Sequence, residues 1–194
     1  LHPTSVGENW KEELDIIRKE LSKRTYIAIG EIGIDLYWDK TFEEQQRLVF
    51  EEQLRWSIEY DLPVAIHSRD AIAECISCIK NVGEQHLRGV FHSFGGTVEE
   101  LDGILSLRNF MLGINGVVTF KNSTLPTVLK ETNLSTIIIE TDSPYLAPVP
   151  YRGKRNESSY TLNVVTKLAE IYGLPAEEVG QITTENAEKL FALK

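Results

Sequence analysis

Gly30-Glu31-Ile32-Gly33-Ile34-Asp35 follows directly on Tyr26-Ile27-Ala28-Ile29, and the reading of this junction decides the fold. The apolar run is bounded by glycine and reads as a buried strand, Tyr26 to Gly30, with Glu31 just beyond it. A carboxylate then stands where a buried parallel strand ends and its loop begins, the place where α/β barrels put catalytic and ligand side chains. The pattern recurs three times. Leu62 to Ile66 ends at His67, Gly89 to Phe91 ends at His92, and the β-branched run Thr136 to Glu140 closes on Thr141-Asp142.

Between these strands the apolar residues take helical spacing. Trp10, Leu14, Ile17 and Leu21 mark a helix to about Arg24. Thr41-Phe42-Glu43-Glu44 has the form of a capping box and opens a long helix through Tyr60. A helix from about Asp70 to Asn81 follows, and Thr97-Val98-Glu99-Glu100, a second capping box, opens another to about Leu107. Phe110 to Gly113 and Gly116 to Phe120 read as a split strand region, and Pro126 to Thr132 as a short helix. A proline-rich basic loop spans Ser143 to Asn156. The tail reads as helical over Ser159 to Tyr172 and from about Thr184 to Leu193.

Strands alternating with helices imply βαβ units and a mostly parallel sheet. Allowing for the extra strand at Phe110, each unit averages about 28 residues, close to the roughly 30 of a βα repeat. An open doubly wound sheet would concentrate function at one switch point with a Gly-rich phosphate turn. Gly-x-Gly-x-x-Gly is absent, and four different strands end in ligand-type residues, which favours a TIM-like barrel built as a single domain over residues 1–194.

Composition narrows the class. The chain has 194 residues, 42% of them hydrophobic, enough for one sizeable core. A net charge of −9 argues against broad electrostatic coating of nucleic acid, though a compact cationic site still suits one phosphate. No apolar run reaches the roughly 20 residues of a membrane span. Two cysteines make no disulfide framework, so a cytoplasmic setting is expected. Cys75-Ile76-Ser77-Cys78 is formally Cys-x-x-Cys, but Ile72, Cys75, Ile79 and Val82 share a helical face and the pair reads as core. No protein partner is evident.

Glu31, His67, His92 and Asp142 together form an N/O donor set for a divalent metal. A lone Glu after a strand commonly caps a helix, and a lone buried His commonly hydrogen-bonds in a core. Four such residues at equivalent strand ends argue for a site. Zinc, manganese, nickel or cobalt suit mixed imidazole and carboxylate ligands better than magnesium does. Arg69, two positions after His67, and Arg152, in the loop after Asp142, are the candidates for a substrate phosphate, which guanidinium groups bind bidentately. Lys154 and Arg155 fit either that role or a solvated loop. Tyr37 and Trp38 suit base stacking or loop packing equally. His86 reads as a surface loop residue, and His2 as loop structure near the pocket, not as a ligand.

In order, Gly30 to Asp35, Pro63-Val64-Ala65-Ile66-His67-Ser68-Arg69, Phe91-His92-Ser93-Phe94-Gly95-Gly96 and Ile139-Glu140-Thr141-Asp142-Ser143-Pro144-Tyr145-Leu146 resemble the signatures of the TatD-type metal-dependent deoxyribonucleases. Arg152-Gly153-Lys154-Arg155-Asn156-Glu157 matches the basic loop that follows in that family, and Leu1-His2-Pro3 its His-Pro step. The resemblance covers the whole chain. It implies a hydrolase on a TIM-like (β/α)8 barrel that cleaves phosphodiester bonds in DNA, single-stranded or at ends, by metal-activated water. It further implies that Glu31 bridges two metals, with His67 and His92 completing one site. Asp142 would belong to the other and orient or deprotonate the attacking water.

The family's His-x-His pair is absent, since the histidines are His2, His67, His86 and His92. The chain is therefore expected to enter the pattern at the end of the third strand, to carry about five of eight strands, and either to belong to a longer natural protein, the favoured reading, or to have its start supplied by another chain. Two other readings stand beside the nuclease. One is an amide or ester hydrolase on the same barrel, since fold does not fix function. The other is a non-catalytic fragment holding at most one metal.

Overall fold

The computed structural model describes residues 1–193 and forms two compact units. One comprises Leu1–Phe91 with Gly103–Phe110, the other His92–Asp102 with Met111 onward. Helix α1 (Trp10–Leu21), strand β1 (Ile29–Asp35), α2 (Glu43–Tyr60), β2 (Val64–Arg69), α3 (Ile72–Val82) and β3 (Gly89–Phe91) follow in order. After them come α4 (Val98–Leu105), β4 (Phe110–Ile114), the short α5 (Leu125–Val128), β5 (Ile137–Ile139), α6 (Thr161–Tyr172) and α7 (Ala176–Phe191). The expected alternation of strand and helix is present.

In the first unit β1 pairs with β2 and β2 with β3, both in parallel. Ile29, Ile32, Ile34, Val64, Ile66, Val90 and Phe91 are buried, as strands covered on both faces require. Helix α2 packs on β1 and α3, and its Val49, Phe50, Leu54 and Trp56 are buried. Cys75 and Cys78 are buried free thiols on α3; burial raises both pKa values, that of Cys78 to about 11. They belong to the core, as their helical face indicates.

In the second unit β4 pairs with β5 in parallel, Leu112 opposite Ile137 and Ile114 opposite Ile139. Helix α7 packs on β5 and α6. Asn186 donates from Nδ2 to the carbonyls of Leu134 (2.7 Å) and Ile137 (2.8 Å), which anchors α7 at the start of the strand.

Several boundaries differ from the sequence reading. β1 begins at Ile29 and not at Tyr26, with Ile27 61% exposed, and β2 runs Val64–Arg69, so His67 lies inside its strand instead of just beyond it. β1 runs Ile29–Asp35 instead of stopping at Gly30, so Glu31 lies inside the strand. Glycine does not end it, because Gly33, at φ 137°, packs against the His67 carbonyl so closely that a Cβ would sit 2.0 Å from that oxygen. Residues 116–119 form a 3-10 turn instead of a strand, because Asn115 Oδ1 accepts from the Val117 N–H (3.1 Å) and curls the chain. Helix α7 begins eight residues before the expected Thr184, with Glu177 and Glu178 favourably placed in its first turn. The capping box at Thr41 does not form, since α2 starts from Phe42 with no side-chain cap. The one at Thr97 does: the Thr97 N–H donates to Glu100 (2.7 Å) and the Glu100 N–H to Thr97 Oγ1 (3.3 Å).

Candidate metal centre

β1 and β2 build the site of the first unit. Ile29 pairs with Val64 but Ile32 with Ile66, so three steps on β1 oppose two on β2. One extra residue is a bulge, and bulges re-aim side chains. Glu31 sits in it. Its Oε1 lies 2.9 Å from His67 Nδ1 and 3.7 Å from His2 Nε2, and the two imidazole rings meet edge to face at 4.7 Å. The second nitrogen of His67, Nε2, lies 2.8 Å from Asp35 Oδ2.

Asp35 is itself held. Its N–H donates to Gln46 Oε1 (2.8 Å), and Gln46 Nε2 donates to its carbonyl (3.2 Å), a buried reciprocal pair between α2 and the end of β1. Asp35 Oδ1 accepts from the N–H groups of Tyr37 (3.0 Å) and Trp38 (3.4 Å). One carboxylate thus orients His67 and shapes the loop after β1. Burial disfavours the charged form of His67, but the carboxylates of Glu31 and Asp35 outweigh it and hold the imidazole pKa above its usual value.

The site of the second unit repeats the theme. His92 Nδ1 lies 3.0 Å from Glu140 Oε2, and Nε2 lies 3.4 Å from Asp142 Oδ1. Glu140 Oε1 accepts from the Ser93 N–H (2.5 Å), and Asn115 donates to Ser93 Oγ (2.7 Å). The loop carrying Asp142 is pinned by buried Asn156, whose Nδ2 donates to Thr141 Oγ1 (3.0 Å) and the Tyr145 carbonyl (2.7 Å).

The donor chemistry fits a divalent ion in the first unit. His2, Glu31 and His67 each offer one ligand atom, all within 4.8 Å of one another, the one such group of three among the described residues. Separations of 2.9 and 3.7 Å bracket the roughly 3.4 Å between neighbouring donors around a tetrahedral ion with bonds of about 2.1 Å.

Of the residues singled out from the sequence, Glu31 and His67 meet in the first unit, and His92 and Asp142 in the second. Arg69 lies over the Tyr37 ring at 3.8 Å, and Arg152 over the Phe120 ring at 3.8 Å. Three residues of these clusters escaped the sequence reading. His2, read as loop structure near the pocket, does cap the turn Pro3–Ser5, its Nδ1 accepting from the Thr4 N–H (3.2 Å), and it also turns Nε2 towards Glu31; its distance from the other motifs along the chain hid that second contact. Asp35 and Glu140 stand inside the quoted motifs. The signal available was their spacing, four residues after Glu31 and two before Asp142.

A parallel α/β chain with a clustered imidazole and carboxylate donor set has the makings of a metal-dependent hydrolase, and comparison with known proteins bears this out. Residues 1–192 match the family model described as TatD related DNase, and the chain belongs to that family. It is 39% identical over 193 residues to YabD of Bacillus subtilis, named an uncharacterized metal-dependent hydrolase, covering 99% of this chain and 75% of that one. It is 32% identical to YcfH of Escherichia coli K12, which bears the same description, covering 98% of this chain and 71% of that one. The crystal structure of YjjV, a TatD homologue from E. coli K12, superimposes with a TM-score of 0.87 at 28% identity, over all of this chain and 75% of that one. An amidohydrolase of Bifidobacterium longum matches in fold alone, with a TM-score of 0.55 at 12% identity. The fold class is α/β, of the TIM-like barrel type of metal-dependent hydrolases, with five parallel strands in this chain. Among the described residues no helix is long and apolar enough to cross a membrane.

Proposed function

We propose that this metal-dependent hydrolase cleaves phosphodiester bonds in DNA, single-stranded or at ends, with Glu31, His67, His92 and Asp142 as its metal-holding residues. One observation carries the choice of a phosphodiester. Arg69 stands two residues beyond His67 on β2, hence on the same face of the strand, and its guanidinium, which lies over the Tyr37 ring, makes no ion pair or side-chain hydrogen bond among the described residues. Arg18, Arg47, Arg55 and Arg88 are all engaged by carboxylates. A guanidinium held by a ring, with its N–H donors uncommitted beside a metal-ligand cluster, matches the paired oxygens of a phosphate better than the single carbonyl oxygen of a neutral ester. Arg152, stacked on Phe120 and likewise unpaired among the described residues, fits the same role.

His2 joins Glu31 and His67 as a ligand in this proposal. A divalent ion held there would supply Lewis-acid stabilisation of the developing phosphoryl charge and lower the pKa of water. The residues do the rest. An Nε2–H donated to Asp35 leaves the Nδ1 lone pair of His67 directed towards Glu31. Asp142 accepts the proton of the attacking water or orients it, while Arg69 and Arg152 hold the phosphate oxygens.

An activity panel of single-stranded DNA against p-nitrophenyl esters, with metal per chain measured by elemental analysis, tests this. The expected result is metal-dependent DNA hydrolysis, lost in both Glu31→Ala and Asp142→Asn. Glu31→Ala also loses its metal, whereas Asp142→Asn keeps the metal of the His67 cluster. Hydrolysis of esters alone would overturn the reading.

A further inference from the structure

The loop after β1 and the end of β2 carry three side chains that the metal-holding role leaves unused, Tyr37, Trp38 and Arg69. Tyr37 and Trp38 are both exposed, Trp38 at 71%, in a chain whose other two tryptophans are partly or fully covered. Their rings meet edge to face, centroids 4.7 Å apart at 88°. Arg69 lies over Tyr37 at 3.8 Å and 5.3 Å from the Trp38 centroid. A cavity of about 160 Å³ opens beside Trp38, walled by Pro3, Val6 and Phe42 on its apolar side and reaching Asp35 and Gln46.

This is an ordered cluster. Exposed aromatic rings normally turn freely and carry no positional information. Here the N–H groups of Tyr37 and Trp38 are both tied to Asp35 Oδ1, so the loop bearing the rings has the register of the carboxylate that orients His67. Arg69 is fixed from the other side by its strand, with Asp35 opposite it in the β1–β2 ladder. A largely exposed indole is thereby held beside a cation with uncommitted donors and one carboxylate away from the imidazole of His67.

Resting on the phosphodiesterase reading, we infer that Trp38, backed by Tyr37, is a stacking platform for the nucleobase next to the scissile phosphate, with Arg69 taking that phosphate. The occupant follows from the chemistry. A phosphate joined to a flat aromatic group by a short flexible sugar matches a guanidinium and an indole standing side by side, and stacking is open to every base because each has a π face. The base must be unstacked from its neighbours to reach the ring, so the platform selects single strands and frayed ends over intact duplex.

The test uses single-stranded oligonucleotides in which one abasic residue is walked past the cleaved bond. With wild-type protein, KM rises about 5- to 100-fold when the abasic residue occupies one position flanking that bond. In Trp38→Ala the ratio of abasic to normal KM at that position falls to near one, and Trp38→Phe, which keeps an aromatic face, restores most of it. If the wild type cleaves DNA with the same KM at every abasic position, or if Trp38→Ala keeps the wild-type ratio, the platform is overturned while the nuclease reading stands. If the wild type cleaves neither kind of DNA, the nuclease reading falls and takes the platform with it.

Discussion

His67 and His92 stand in the same relation to their surroundings and solve it in opposite ways. Each imidazole lies between two carboxylates, one well exposed and one better covered. Glu31 and Asp142, the residues singled out from the sequence, are 33% and 36% exposed, whereas Asp35 and Glu140 are 3% and 17% exposed. The exposed member can take an ion or a water; the covered member holds the ring with one oxygen and the neighbouring backbone with the other. His67 turns Nδ1 towards its exposed carboxylate, while His92 turns Nε2. The choice of nitrogen follows the backbone, since the covered partner reaches His67 from four residues along a bulged strand and reaches His92 from two residues before Asp142. Burial of the orienting partner, more than its position in a motif, separates the two roles.

Each unit also reserves a glycine for its pair, and this is the sharpest way to break the parallel. Gly33→Ala places a Cβ 2.0 Å from the His67 carbonyl at a φ of 137°, and backbone cannot yield there as a side chain can. A loss of about 3 kcal/mol or more in denaturant unfolding is expected. Gly113→Ala meets the end of the Glu140 side chain at 2.3 Å, which can move. It should cost only about 1 kcal/mol. It should, however, displace Glu140 from the Ser93 N–H and from His92, so activity falls further than stability. Equal losses of stability in the two variants would contradict this account.

The orienting role is tested next. Asp35→Asn retains the shape of the side chain but removes the charge facing His67 Nε2, and metal affinity should fall about 10- to 100-fold in competition with a chelating dye. Glu140→Gln should have the smaller effect, because Glu140 is less buried and keeps an oxygen for the Ser93 N–H. The reverse order would show that burial does not rank the two carboxylates.

The smallest effect is on pH dependence. The folded pKa of His67 is raised, so in metal-free protein its interactions with Glu31 and Asp35 contribute stability that is fully present below the unfolded pKa of about 6.5. That contribution is lost as pH rises through the folded value. The stability advantage of wild type over His67→Gln should therefore shrink from mildly acidic to mildly alkaline pH in thermal unfolding without metal. With metal added the trend should invert, because the ligand nitrogen must be deprotonated to bind. An advantage that is flat with pH in both conditions would exclude the proposed arrangement of His67.

Much of the fold was legible because it rests on local patterns. Buried parallel strands read as apolar runs, and α1, α3 and α6 read from their apolar spacing. The boundaries that misled are those where a long-range contact overrides a local signal. Gly30 and Gly33 look like a strand end until β2 packs against them. Gly116 to Phe120 looks like strand until Asn115 turns it. Tyr37 and Trp38 were legible as suited to base stacking or to loop packing, whereas the contacts with Asp35 and Arg69 that hold them in place were not.

The sequence by itself determined the order of βα units and four residues with ligand chemistry, Glu31, His67, His92 and Asp142, because residue type and spacing are properties of the chain. Tertiary structure alone decided which carboxylate each imidazole nitrogen faces, that His2 joins Glu31 and His67, and that Arg69 rests on a ring instead of an acid. Those outcomes depend on side-chain direction and burial. One bulge at Glu31, one residue long, is enough to re-aim a side chain, and no period in the sequence records it.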